Sequence, residues 1–551
     1  MKNILFIFLI LFSVPAFAQE GELPDEQIII QKDKKIVLPE LAKPAEKVTL
    51  SLKPLPKINQ KYSYREFSLS LPLLNPKPAA PSLRPEAESP VGEGYVRLGG
   101  GNYGSTLFDG FYNSGRRKDY SYEVFARHLA SASGPVSHSG FSNNELGARA
   151  KYFTNAFNLS GGLAYKRDRY NFYGFDRDVF PSRGNDSTRQ VFQNIWFQLN
   201  LERNKKNSPL HYNVGLGLGN ISDRFKASES EASLDITGKY RLSDSSSVGL
   251  FSDFMLAKRA DSADQNRSLI RFQPHFRFGL KGFWFEAGFQ LAVANEPVLN
   301  EAGRTGSNKA SLHLYPQLRL GQTLIKDKLS AYAGLSGGMQ KRTLRTGLGV
   351  NPFLAPDVHL RFENQRYSIY AGLRGNSGGR FSYHSQFMYE SLNNQAFMIN
   401  NPGRQEQFLL VYDSSATGRI TWETEAVFDL NAQTRAGIRF MLFGYQVKSL
   451  EKPWHAPGSM ISCFGRYALN EKITLSGEFY YMGGMRALNS QSLESESLKA
   501  LADLNVKGEY FFKKRYSGFV SVHNLLNNRN ERFLYYPTQG FRIMLGASAA
   551  F

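Results

Sequence analysis

Apolar and polar residues alternate with a period of two along most of the chain after residue 93. Leu312, Leu314, Pro316, Leu318 and Leu320 alternate with Ser311, His313, Tyr315, Gln317 and Arg319. Ile420, Trp422, Thr424, Ala426 and Phe428 alternate with Thr421, Glu423, Glu425, Val427 and Asp429. Ile195, Phe197, Leu199 and Leu201 alternate with Asn194, Trp196, Gln198, Asn200 and Glu202. Successive side chains of a strand point to opposite faces, so each run predicts a strand with one apolar and one polar face. The polar sets include charges and amides that a dry core would penalise. A water-filled interior removes that penalty, which leaves lipid as the natural solvent for the apolar face. Pro316 has no ladder donor and predicts a bulge.

Strand signals from residue 93 number about 22, an even number within the bacterial range. The connections alternate in length. Residues 154–156, 281–282 and 470–472 are short links, whereas 168–189, 294–309, 341–359 and 524–540 are long ones. A barrel with short turns on one side of a membrane and long loops on the other keeps that parity. A soluble sandwich has no reason to. Residues 102–104 break the pattern once. The predicted fold is all-β: a transmembrane antiparallel β-barrel of about 22 strands over residues 93–551, preceded by an extended N-terminal arm.

The two ends refine this. Lys2, the apolar run 4–14 and Ala16-Phe17-Ala18 read as a secretory signal peptide over 1–18, with the mature chain starting at Gln19. The last segment, 541–551, alternates as well, with Ile543, Leu545, Ala547, Ala549 and Phe551 on one face. Its ending, Gly546 with terminal Phe551, resembles the sorting signal read by the machinery that assembles outer-membrane barrels; Ala549 stands where an aromatic is usual. The expected location is therefore the outer membrane of a Gram-negative bacterium. Residues 19–92 hold eleven of the 24 prolines, which favours an extended periplasmic arm or linker over a compact domain.

Composition sharpens the classes that remain. No stretch reaches the roughly 20 apolar residues of a membrane helix, which leaves strands as the means of crossing. The net charge is +19, but Lys and Arg are scattered without a basic run or a nucleic-acid module, so anionic lipid headgroups or an acidic solute are the expected partners and nucleic acid is not. The single cysteine, Cys463, permits no internal disulfide and is expected to be buried and inert. The nine histidines show no metal-ligand spacing, and nothing indicates a catalytic site, a cofactor or an enzyme. Gly99 to Gly104 matches G-x-G-x-x-G, but a strand follows it where a dinucleotide site needs a helix, so it reads as a hairpin turn.

Residues 93–551 resemble the barrel of TonB-dependent outer-membrane receptors. Asn524-Leu525-Leu526-Asn527, Tyr536-Pro537, Gly540 and Phe551 look like the closing strands of that family, and Asn351 to Pro356 looks like one of its outer-loop segments. The resemblance implies transport of a solute across the outer membrane. It departs in the proline-rich arm, which is shorter than the folded plug of the family and carries no plug-like pattern. The chain reads as a plugless relative, and the alternative is a structural barrel that anchors a periplasmic or surface complex. Glu26, Gln27, Ile28, Ile29 and Ile30 look like a TonB box, which would bind TonB or another periplasmic protein by strand addition. His313, Gln317, Arg319, Glu423 and Glu425 are expected to line the lumen, to contact solute or to brace the wall. A lumen of 22 strands is too wide to stand open, so the arm, inward-folded loops or a separate protein must fill it.

Overall fold

The computed structural model describes residues 92–551, apart from 116, 135, 176–187, 204, 206–207, 261–263, 300–304 and 378. The signal-peptide segment, the arm and the TonB-box-like residues Glu26 to Ile30 lie outside the described residues. Twenty-two antiparallel strands form one sheet. The first, Gly94–Gly101, pairs with Ser105–Asn113 on one side and with the last, Arg542–Ala550, on the other, so the sheet closes on itself. Closure pairs every strand and leaves no edge for lipid to punish.

The strand faces follow the expected register. Leu312, Leu314, Leu318 and Leu320 point outward and stay exposed, while Tyr315, Gln317 and Arg319 are buried on the inside. Outward side chains form an apolar belt, from Leu98 and Leu146 through Ile270 and Phe272 to Leu545. Near the short-turn end the belt is rimmed by Tyr112, Tyr120, Tyr122, Tyr152, Tyr240, Tyr467, Tyr510 and Tyr516, all exposed. An apolar band bordered by an aromatic girdle is the outer surface that a bilayer selects. On the inside, charges pair across neighbouring strands: Arg97 with Asp109 at 2.5 Å, Arg127 with Glu145 at 3.2 Å, and Arg319 with Glu286 at 2.6 Å.

Four local readings change. Pro316 sits in regular register opposite Phe289, and the ladder on its other side begins only at Leu318. Its missing N–H therefore falls where the strand has no second neighbour, and no bulge is needed. Residues 294–309 are mostly strand, because Phe283–Leu299 and Thr305–Ile325 extend far beyond their neighbours. Links 224–227 and 261–264 are short as well, so the alternation of short and long connections breaks more than once. Cys463 is half-buried and shares the outward face with its cross-strand partner Ile438 rather than lying in a core. Residues Asn102–Gly104 form the hairpin turn expected of them, with Tyr103 and Gly104 both at positive φ.

Candidate functional site

The lumen is crossed by a layer built from the long loops. Its centre is the connection 341–362, which carries a short helix, α1 (Leu344–Val350). Thr343 caps the helix: its side chain accepts from the Thr346 N–H, and the Thr343 N–H donates to the Thr346 hydroxyl, which satisfies two orphan donors. The helix and the chain after it turn Leu344, Leu348, Leu354, Val358 and Leu360 into a common core with Phe192, Ile221, Phe408, Phe533 and Tyr536. Phe408 belongs to a separate hairpin, Ala396–Asn401 with Arg404–Tyr412, and the last two to the connection 524–541. Burying these side chains stabilises the layer by roughly 1.5–3 kcal/mol for each large one. It is a small hydrophobic core inside the bore of the barrel.

Buried ion pairs fasten this cap to the wall. Arg267 and Glu229 are almost fully buried and 2.7 Å apart. Glu229 also accepts the Leu344 N–H at 2.6 Å, and Arg267 donates to the Arg342 carbonyl at 2.6 Å. Arg342 pairs with Glu363, and Lys341 and Arg271 both pair with the buried Asp253. Arg259 donates to the carbonyls of Pro356 and Val358, and Glu296 accepts the Phe362 N–H at 2.8 Å. Apart from Glu363, which opens the strand Glu363–Ser377, these anchors lie on the strands from Ser228–Arg241 to Phe283–Leu299. The far edge of the loop reaches the closing side of the ring, where Phe353 stacks on Tyr536 with centroids 3.8 Å apart. In a 22-membered ring the strand Gln265–Leu280 faces the strands that flank the connection 524–541. The cap therefore spans the bore.

His455 knits three loops together. Its Nδ1 lies 2.8 Å from the Met398 carbonyl oxygen, and its Nε2 accepts the Leu534 N–H at 3.2 Å. Burial lowers its pKa to about 4 despite the hydrogen bond to Met398, helped by the nearby Arg532 charge. Burial also lowers His359 to about 4, with Arg361, Arg267 and Arg259 adding to the effect. Both imidazoles are neutral at neutral pH. Asn524 and Asn527 hold positive φ, which Asn tolerates better than most residues. Asn524 Nδ2 donates to the Asn528 and Gln539 carbonyls, so the segment that resembled closing strands is a turn stitched by its own amides.

Beneath the cap, against the wall where the barrel closes, lies a cavity of 360 Å³. Phe353, Phe533 and Tyr536 roof it, and Arg97, Glu478, Tyr480, Asp503, Lys507, Phe519 and Arg542 line its wall. Arg97 is paired with Asp109 and Lys507 with Glu509. Among the described residues no group of three His, Cys, Asp or Glu side chains is placed to hold a metal ion.

The five residues expected to line the lumen face inward but do not assemble. His313 lies 3.0 Å from the Ser311 hydroxyl, Gln317 donates to the Gly337 carbonyl at 2.6 Å, and Arg319 pairs with Glu286. Glu423 pairs with Arg439, and Glu425 remains exposed to the lumen. Three strands separate the two groups, and none of the five lines the cavity. Phe551 closes the ring: its carbonyl accepts from the Glu93 and Gly94 N–H groups at 2.7 and 2.9 Å. Gly546 is where chain segments approach closely, since a Cβ there would lie 2.2 Å from the Leu98 carbonyl oxygen. Sequence reasoning missed Glu229, Arg267, Arg259 and His455. Of the cap core it had flagged only segment 351–356 and Tyr536, and those by resemblance.

The class that this fold and interior define is a closed 22-strand β-barrel with a charge-lined, loop-capped bore. No family model and no curated protein matches the chain. Solved structures do share its fold. The FrpB iron transporter from Neisseria meningitidis aligns with a TM-score of 0.65 at 10% identity, covering 84% of this chain and 82% of that one. The pyoverdine outer membrane receptor FpvA from Pseudomonas aeruginosa PAO1 gives 0.63 at 12%, over 84% and 79%. The ferric-catecholate import receptor Fiu from E. coli K12 gives 0.61 at 9%, over 83% and 82%.

Proposed function

We propose that the chain is an outer-membrane barrel, of the kind that TonB-dependent receptors represent, which passes a solute through a bore gated by its own loops. The observation that carries this reading is the cap: a layer that spans the lumen, with a chamber beneath it lined by aromatic and polar groups. A barrel serving only as an anchor needs no chamber. The apolar belt and its tyrosine girdle support the membrane location, and the names of the fold neighbours support transport. The signal peptide 1–18 would direct export, and Gly546 with Phe551 would be read by the assembly machinery. The cap would supply the occlusion of the bore. Glu26 to Ile30 would let TonB or another periplasmic protein pull on the arm.

The test is solute flux from vesicles loaded with compounds of graded size. Wild type should pass small solutes slowly and selectively. A variant with residues 345–357 replaced by a short Gly-Ser link should pass them fast and without selection. If neither protein passes any solute, the transport reading fails and the anchoring role takes its place.

A further inference from the structure

Resting on the transport reading, we propose that the chamber at the closing strands binds a small organic monoanion with a planar apolar body, held by Arg542. This side chain is 2% exposed and lines the cavity. Its Nε and Nη1 are buried with no hydrogen-bond partner. Among the described residues it makes no ion pair, and its guanidinium lies 5.8 Å from the Phe141 ring centroid. Asp503 lines the same cavity and attracts Arg542 electrostatically, but it accepts the Asn524 N–H at 3.1 Å and makes no direct ion pair with Arg542. A buried guanidinium with no carboxylate in hydrogen-bonding reach is costly, and an anion bound directly to it offsets that cost. Planar, forked donors suit a carboxylate in particular.

The rest of the chamber narrows the ligand. Arg532, on its roof, also lacks an ion pair among the described residues; its Nη1 donates to the His455 carbonyl at 3.2 Å. Gln539 spends its amide N–H on the Ser139 carbonyl at 2.7 Å, and its Oε1 is buried without a partner. That acceptor is met by a ligand hydroxyl or N–H. Phe141, Phe353 and Tyr536 supply flat apolar surface. Glu478 and Asp503 on the same wall repel further negative charge, which limits the ligand to one acidic group. A cavity of 360 Å³ is at the small end of ligand sites, so the body is one or two fused rings.

The experiment uses the full chain in detergent and three probes of one shape: 2-naphthoate, 2-naphthalenemethanol and 2-naphthylmethylammonium. Equilibrium dialysis should show the carboxylate bound about tenfold or more tighter than the alcohol, with the cation weakest. Arg542→Gln should abolish the preference, and Arg542→Lys should keep part of it. Heat-modifiable migration on gels reports whether each variant folds. Equal binding of the three probes to wild type overturns the proposal whether or not the variants fold, and so does an unchanged preference in folded Arg542→Gln. Flux measured on the same preparation separates the two readings. Flux without anion preference removes this site alone, whereas anion preference without flux removes transport and leaves the site.

Discussion

Leu314 and Gln317 stand on one strand and face different solvents. Leu314 is 66% exposed on the outward belt, and Gln317 is 7% exposed on the inside. Leu314→Arg is expected to destabilise the barrel by about 2–4 kcal/mol if it lies near the bilayer midplane. Gln317→Ala should cost only about 1 kcal/mol, the worth of its bond to the Gly337 carbonyl. Folding titrations into lipid vesicles measure both, and equal losses would refute the assigned faces. Gly546→Val should slow or block closure, visible as loss of the heat-modifiable band, because the Leu98 carbonyl leaves no room for a side chain. Which way Leu314 points was legible in the sequence, because a period of two needs only one strand to read. That Gln317 is satisfied by Gly337 was not, since the bond depends on how a neighbouring strand registers. For the same reason the sequence left Arg319 open between contacting solute and bracing the wall, and only the neighbouring strand shows its partner, Glu286.

The loop 341–362 forms the centre of the cap. Its segment 351–356 stood out in the sequence as a loop, but its inward course did not. Its anchors Glu229, Asp253, Arg259 and Arg267 are distant in sequence and sit on strands whose pattern looks like ordinary wall. Only the closed ring brings them to the loop. Arg267→Ala would leave Glu229 buried and unpaired, a change expected to cost about 3–5 kcal/mol. Limited proteolysis should then cut within 341–362 in intact cells or vesicles, where wild type resists; equal resistance would mean that the pair does not hold the cap. Acid should loosen the same element. His455 and His359 sit at about 4, below the ordinary 6.5, so on release of the loops they take up protons first as pH falls. Their contribution is complete above about pH 6.5 and drains away between there and about pH 4. Hydrogen exchange of amides in 341–362 and 524–541, corrected for chemical exchange rates, should show less protection at pH 4.5 than at pH 7. Equal protection would show that neither imidazole is tied to closure.

At the scale of the whole molecule, alternation and the parity of connections gave the closed ring and its strand number, since both are properties of segments. The uneven height of the wall was hidden. The strands around Thr305–Ile325 rise well beyond those at the closing side, and residues read as a loop became strand. What fills the bore was left open among arm, loops and a separate protein, because filling is a matter of how distant connections meet. Among the described residues the loops do it: their core runs from Phe192 and Ile221 on the wall to Phe533 and Tyr536 at the closing side. That the cap shuts the bore is the central claim, and single-channel conductance in planar bilayers at neutral pH tests it most directly. Wild type should show no large stable conductance, and the variant with 345–357 replaced by a short link should open steps typical of a wide pore. A wild-type barrel that conducts as a wide, steady pore, unchanged by that replacement, would contradict the account.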